Sequence, residues 1–315
     1  MTLLSRTAES LFWSGRYMER ADFVARLLDA AQRLSALPTR ETDPYQAWES
    51  AVCSAGVASA FHARHGAADA AEVRQFLAFD PDNPSSILAC LTAVRSNMRS
   101  IRTALTTELW ETVNGAYDEL KRFQAARNDR EVFAEFLEWL KTVALAFDGA
   151  AHRTMLRNDA YWFLRLGGEI ERADNTARLL DVKYHLLLPE DERIGGGLDY
   201  FQWTTLLREV SAFTAYRWLY RESVRPWLIA DMLILNRQMP RSLACCQAAI
   251  AAHLDDLAEG YGRRGLSQRL ASGMLSRLSG TRIESLFQTG LHEFIQDFLA
   301  ENNKLAAAIA EQYLS

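Results

Sequence analysis

Lysine is nearly missing from this 315-residue chain, with four lysines standing against thirty-one arginines. Arginine is the cation better suited to planar, partly buried pairing with carboxylates. An excess of positive charge is missing too. The formal net charge of −5 removes the broad basic surface of a general nucleic-acid binder, while a local anion site stays open. Cysteines are few: Cys53, Cys90, Cys245 and Cys246 show no CxxC spacing, so neither a disulfide framework nor a metal site is expected. No run approaches the roughly 18 apolar residues of a membrane span, and the opening Met-Thr-Leu-Leu-Ser-Arg, with Glu9 soon after, does not read as a signal peptide. The expectation is a cytoplasmic location without membrane association. GxxxxGK(S/T), strand-borne GxGxxG, GxSxG and HExxH are all missing, so catalysis by this chain alone has no motif behind it.

What is present is helical. Leu166, Ile170, Ala173, Ala177, Leu180 and Tyr184 recur at i, i+3 and i+4 spacing, and period-2 alternation is scarce, so no sheet is expected. The seven prolines fall in a few places that divide the chain. Helices are expected at about 2–35, 44–64, 69–79, 85–123 with a bend near Gly115, 129–158, 160–187, 200–221, 226–235, 241–259, 268–279 and 282–314. Asp43-Pro44, Asn128 with Glu131, and Thr281 with Glu284 supply start signals. The triple-glycine segment 189–197 is the clearest loop.

One repeat organises the chain. Residues 15–29, Gly-Arg-Tyr-Met-Glu-Arg-Ala-Asp-Phe-Val-Ala-Arg-Leu-Leu-Asp, align without gaps to residues 167–181, Gly-Gly-Glu-Ile-Glu-Arg-Ala-Asp-Asn-Thr-Ala-Arg-Leu-Leu-Asp, at an offset of 152 and with ten of fifteen positions identical. A spacing of half the chain indicates duplication of a multi-helix unit, with halves of about 1–150 and 151–315 in a single all-α bundle, and not a solenoid.

The repeat also concentrates charge. Glu171, Asp174, Arg178 and Asp181 form one stripe, repeated as Glu19, Asp22, Arg26 and Asp29. Asp22 is expected to pair with Arg26 and Asp174 with Arg178 at i+4, with Arg20 and Arg172 directed toward neighbouring helices. Such a stripe serves either as a structural ion-pair network or as a polar pocket between the repeat helices. A second candidate is the face through Arg95, Arg99 and Arg102, which could hold a phosphate or carboxylate, with Glu108, Glu111 and Asn114 on another face. A third is the helix start Pro240-Arg241-Ser242, where free N–H groups meet a guanidinium. Asp181 and His185 share a face, but Glu-x-x-His is missing and His185 aligns with Arg33, so no bound metal is expected. The aromatic group Trp203, Phe213, Tyr216, Trp218, Tyr220 and Trp227 suggests core or a subunit surface, with Arg221 and Arg225 beside it.

Segments 11–22 and 168–185, together with 95–114, ending Glu-Leu-Trp-Glu-Thr-Val-Asn, and 231–242, ending Met-Pro-Arg-Ser, closely resemble the alpha-E domain family of bacterial all-helical proteins. The resemblance implies association with circularly permuted ATP-grasp ligase-like proteins and with transglutaminase-like peptidases, in some cases beside a proteasome-like hydrolase, and a part in peptide or amide-bond synthesis and processing. ATP and magnesium would belong to that partner, with no cofactor on this chain. The copies differ where Phe23 and Val24 align with Asn175 and Thr176, and where Arg16 and Tyr17 align with Gly168 and Glu169, so the second copy is the better site candidate if only one works.

The leading expectation is an accessory protein that binds its ligase-like partner or presents substrate through the repeat-helix groove and the Arg95–Arg102 face. The rivals are an enzyme whose pocket of Glu19, Glu171, Glu108 and Arg99 does acid–base or acyl-transfer work, and a structural homo-oligomerisation module. A carboxyl raised well above its ordinary pKa in a cleft would favour the enzyme, and a fully paired network the accessory protein.

Overall fold

Apolar residues at helical spacing run through the whole chain, and in the computed structural model they form helices and no strand across the described residues, 3–36, 44–126, 129–187 and 197–314. Fifteen α-helices occur among them: α1 (Ser5–Ser35), α2 (Pro44–Ser54), α3 (Ala58–His62), α4 (Ala70–Arg74), α5 (Ile87–Ser100), α6 (Thr107–Ala125), α7 (Arg130–Thr154), α8 (Asp159–Leu187), α9 (Gly197–Glu209), α10 (Phe213–Tyr220), α11 (Pro226–Ile234), α12 (Leu243–Tyr261), α13 (Leu266–Gly280), α14 (Ile283–Thr289) and α15 (Leu291–Ile309). None is long and apolar enough to cross a membrane.

The two repeat-bearing helices form the centre. α1 and α8 pack along each other, α5 lies on α1 and α12 on α8, and α2, α7, α13 and α15 complete the surround. Covered on most sides, α1 buries Leu11, Phe12, Phe23, Val24 and Leu28, while α8 buries Phe163, Leu166, Ile170, Ala177 and Leu180. Glycine sets how closely they approach. A Cβ at Gly15 would overlap the Leu164 carbonyl oxygen, and one at Gly167 the Phe12 carbonyl oxygen. Larger residues there would push the backbones apart.

Several expected helices are broken in two. The 44–64 run stops at Gly56, where φ is +70°, and the 200–221 run stops at Ser211, with φ of 55°. The 282–314 run stops at Gly290, with φ of 109°, and its start is capped by neither Thr281 nor Glu284, since Arg282 occupies the N-cap position without a side-chain bond. The 85–123 run ends at Ser100 and restarts after Thr106, whose hydroxyl accepts the Leu109 N–H. The competing local cap at Thr106 explains that break. Asp129 caps α7 through the Glu131 and Val132 N–H groups. Asp43, Asn128 and most of the glycine segment 189–197 lie outside the described residues. The aromatic group divides: Trp203 and Tyr216 are fully buried, whereas Trp218 is 75% exposed.

Candidate functional site

Because glycines let α1 and α8 run so close, the long polar side chains of one reach the other. Arg172 on α8 donates to Glu19 on α1 at 2.6 Å, and Arg20 on α1 donates to Glu171 on α8 at 2.6 Å. The Glu-Arg pair of each copy is thus exchanged with the pair of the other. Each carboxylate takes a second guanidinium: Arg16 donates to Glu171 at 2.7 Å, and Arg241, from the start of α12, donates to Glu19. Both glutamates are buried, at 7% and 3% exposure. Burial alone would raise their carboxyls, but the charges of Arg172 and Arg241 hold Glu19 well below the usual range, and those of Arg20 and Arg16 lower Glu171. They are ionised, spent acceptors.

The i+4 pairs are present as expected, Arg26 to Asp22 at 2.8 Å and Arg178 to Asp174 at 2.7 Å. Their surroundings differ. Asp22 takes a further bond from Arg241 at 2.7 Å, whereas Arg178 is the ion-pair partner that Asp174 has among the described residues. Burial raises the Asp174 carboxyl, and Arg178 only partly offsets it. The Arg178 guanidinium lies against Gly56, where a Cβ would sit 3.0 Å from it. Ser242 caps α12, accepting the Cys245 N–H at 3.0 Å and donating to the Asn236 carbonyl. The Pro240-Arg241-Ser242 start therefore aims its guanidinium inward at Glu19 and Asp22.

The second candidate face does not assemble. Arg95 and Arg99 belong to α5, but Arg102 lies past its end on a separate turn, Arg102–Ala104. Arg95 donates to Asn114 at 3.1 Å and stacks on Tyr117, Arg102 lies over Trp110, and Arg99 is exposed. Glu108 and Glu111 are exposed on α6, while Glu19 and Glu171 are buried between α1 and α8, so the four-residue pocket of Glu19, Glu171, Glu108 and Arg99 does not form. Asp181 is approached by His292 and Gln296 of α15, and the side chain of His185 lies outside the described residues.

Three further partners complete the seam: Arg165 and Glu169 stand at helical spacing on α8, and Asp148 alone carries no spacing signal. Arg172 also donates to Glu169 at 3.1 Å and to Asp148 of α7 at 3.4 Å, and Arg165 bridges Asp148 and Glu169. A second arrangement was equally hidden. Glu209, the last residue of α9, is buried with its Oε1 4.0 Å from Lys183 Nζ, and its Oε2 has no hydrogen-bond partner among the described residues. Burial pushes its carboxyl up to about 7, with Lys183 opposing and Asp29 adding to the rise. It lines a cleft of about 280 Å³ with Arg26, Asp29, Lys141 and Arg208. Residues 183 and 209 belong to different helices, and only the fold brings them together.

Relatives include an uncharacterized protein of Mycobacterium bovis and one from each of two strains of Mycobacterium tuberculosis, each 22% identical to this chain over 94% of its length. The chain spans about 35% of the length of these relatives. No solved structure matches. The Alpha-E model, described as a predicted alpha-helical domain with a conserved ER motif, matches residues 3–314. Glu19-Arg20 and Glu171-Arg172, crossed at the centre of the molecule, are the two Glu-Arg pairs in that span's repeat, and the chain belongs to the Alpha-E family.

Proposed function

We propose that this chain is a non-catalytic accessory protein that acts with an ATP-grasp ligase-like protein in peptide or amide-bond synthesis or processing, binding that partner or presenting its substrate. The observation that carries the reading is the paired seam: Glu19 and Glu171 each accept from two guanidiniums. A carboxylate so held is a poor general base and has no proton to give near neutral pH. The length of the relatives supports the same reading, because there a comparable segment is joined to a much longer chain. We further infer that the halves arose by duplication. The repeat, the exchanged Glu-Arg pairs and the reciprocal overlap at Gly15 and Gly167 are what a two-fold relation between copies produces.

The test is to mix the chain with an ATP-grasp ligase-like protein from the same genome and measure ATP turnover with and without it against a panel of amino acids and small peptides. The reading expects no turnover by the chain alone and a rise over the partner alone. An unchanged partner, or turnover by this chain alone, contradicts it.

Glu209 favours a second reading. A buried carboxyl with a pKa pushed up to about 7 at a cleft is suited to acid–base work. It revives an enzymatic role with residues other than those the sequence suggested. Glu209→Gln separates the two, because it abolishes activity only if Glu209 moves a proton.

A further inference from the structure

Two helix starts in this molecule are built alike. Pro84-Ser85-Ser86 precedes α5 and Pro240-Arg241-Ser242 precedes α12. Ser86 accepts the Ala89 N–H at 3.1 Å and donates to the Asp80 carbonyl; Ser242 accepts the Cys245 N–H and donates to the Asn236 carbonyl. Four residues after each cap, Cys90 and Cys246 donate to the carbonyls of Pro84 and Pro240. α5 lies on α1 and α12 lies on α8. The difference is the residue before the cap. Arg241 fills one position, reaching Glu19 and Asp22, and the cleft remaining there is about 50 Å³. Ser85 stands at the other, and beside it a cleft of about 240 Å³ lies open toward Glu171 and Asp174.

The walls of the larger cleft define what would fill it. Arg16, Arg20 and Arg178 face it with only Glu171 and Asp174 in opposition, so one cation is in excess. Arg16 and Arg20 share Glu171, and Arg178 meets Asp174 through its Nε. Asn175, 5% exposed, lines the same cleft with an Nδ2 that has no hydrogen-bond partner among the described residues. Buried donors left unpaired are rare in folded proteins. The N-terminus of the fourteen-residue α5 adds a positive end to the dipole beside Ser85. Asp174 Oδ1 also has no partner among the described residues, which suits a ligand that carries a donor next to its negative group. In the repeat alignment Phe23 of the first copy and Gly168 of the second correspond to the Asn175 and Arg16 that this cleft uses, so the donor set is peculiar to this side.

We propose that the cleft between Ser85, Asn175 and Arg178 binds a small anion, a carboxylate or a phosphate that also carries an N–H or O–H donor. The inference does not depend on a ligase partner, and its test uses this chain alone. Titration calorimetry of the full chain with inorganic phosphate and, separately, with L-glutamate distinguishes the two sources. Binding by either or both at concentrations up to about 10 mM is expected. Ser85→Glu places a carboxylate of the chain itself among the arginines; it should abolish binding and raise the melting temperature. Asn175→Ala should weaken binding roughly tenfold, as the loss of one hydrogen bond to a charged group does. Arg264→Ala, on a remote exposed arginine paired with Asp255, should leave binding unchanged. Failure of both probes to bind the unmodified chain, or binding that survives Ser85→Glu undiminished, overturns the proposal.

Discussion

Gly15 of α1 and Gly167 of α8 each face the backbone of the opposite helix, Gly15 at the Leu164 carbonyl and Gly167 at the Phe12 carbonyl. This reciprocal approach is what brings the charged side chains of the two repeats within reach of each other. Gly15→Ala and Gly167→Ala should each destabilise the protein by about 3 kcal/mol or more, because a carbonyl on a rigid helix cannot move aside as a side chain can. Gly168→Ala is the control. Its Cβ would lie 3.9 Å from the nearest atom, the Gly15 carbonyl oxygen, so it should be neutral or gain up to about 1 kcal/mol of helix propensity. Urea unfolding of the three variants checks this.

The crossed pairs make stability depend on acid in a fixed direction. Glu19 and Glu171 have folded-state pKa values below their ordinary 4.5, so their contribution is fully present above that value and is lost as pH falls through the lower folded values. The share of stability that rests on Glu19 and Glu171, read from denaturant midpoints, should hold steady from neutral pH down to about 5 and fall below it. Glu19→Gln should flatten that acid limb while lowering the plateau. An unaltered acid limb would place the titrating groups elsewhere.

Much of this centre was legible in the sequence, because i+4 spacing puts Asp22 beside Arg26 and Asp174 beside Arg178 whatever the fold. The direction of Arg20 and Arg172 toward a neighbouring helix also followed from the stripe. What could not be read was which carboxylate the fold would supply from elsewhere: Asp148 comes from α7, whereas Glu169, one turn before Arg172, was within helical spacing but has no counterpart in the first copy. The Arg95, Arg99 and Arg102 face failed because Thr106 offers a local cap that ends the helical run before it. Gly56 and Gly290 were visible as glycines inside periodic segments, but a glycine breaks a helix only where packing demands a positive φ, and Ser211 gave no signal. Lys183 and Glu209 meet only because α8 and α9 do.

Glu209 titrates in the opposite sense from the seam. With a folded pKa raised to about 7 from an ordinary 4.5, its contribution is fully present below 4.5 and is lost as pH rises through 7. Glu209→Gln cannot ionise, so its stability relative to the unmodified protein should improve between pH 5 and pH 8 by roughly 1–3 kcal/mol. Melting temperatures of the two proteins across that range give the answer, and parallel curves would show that Glu209 does not titrate there.

The most direct test of the account is the unfolding free energy of Glu171→Ala and Glu171→Gln, measured by denaturant titration alongside ATP turnover with the ligase-like partner. Glu171 holds two arginines between the central helices, and its removal leaves them facing each other without a carboxylate. The account predicts a loss of about 3–5 kcal/mol for Ala, and a smaller loss for Gln, which keeps the shape and some of the hydrogen bonding, with partner-dependent turnover falling only as far as the folded population falls. Unchanged stability in both variants together with abolished turnover would contradict it and make the second Glu-Arg pair a working site.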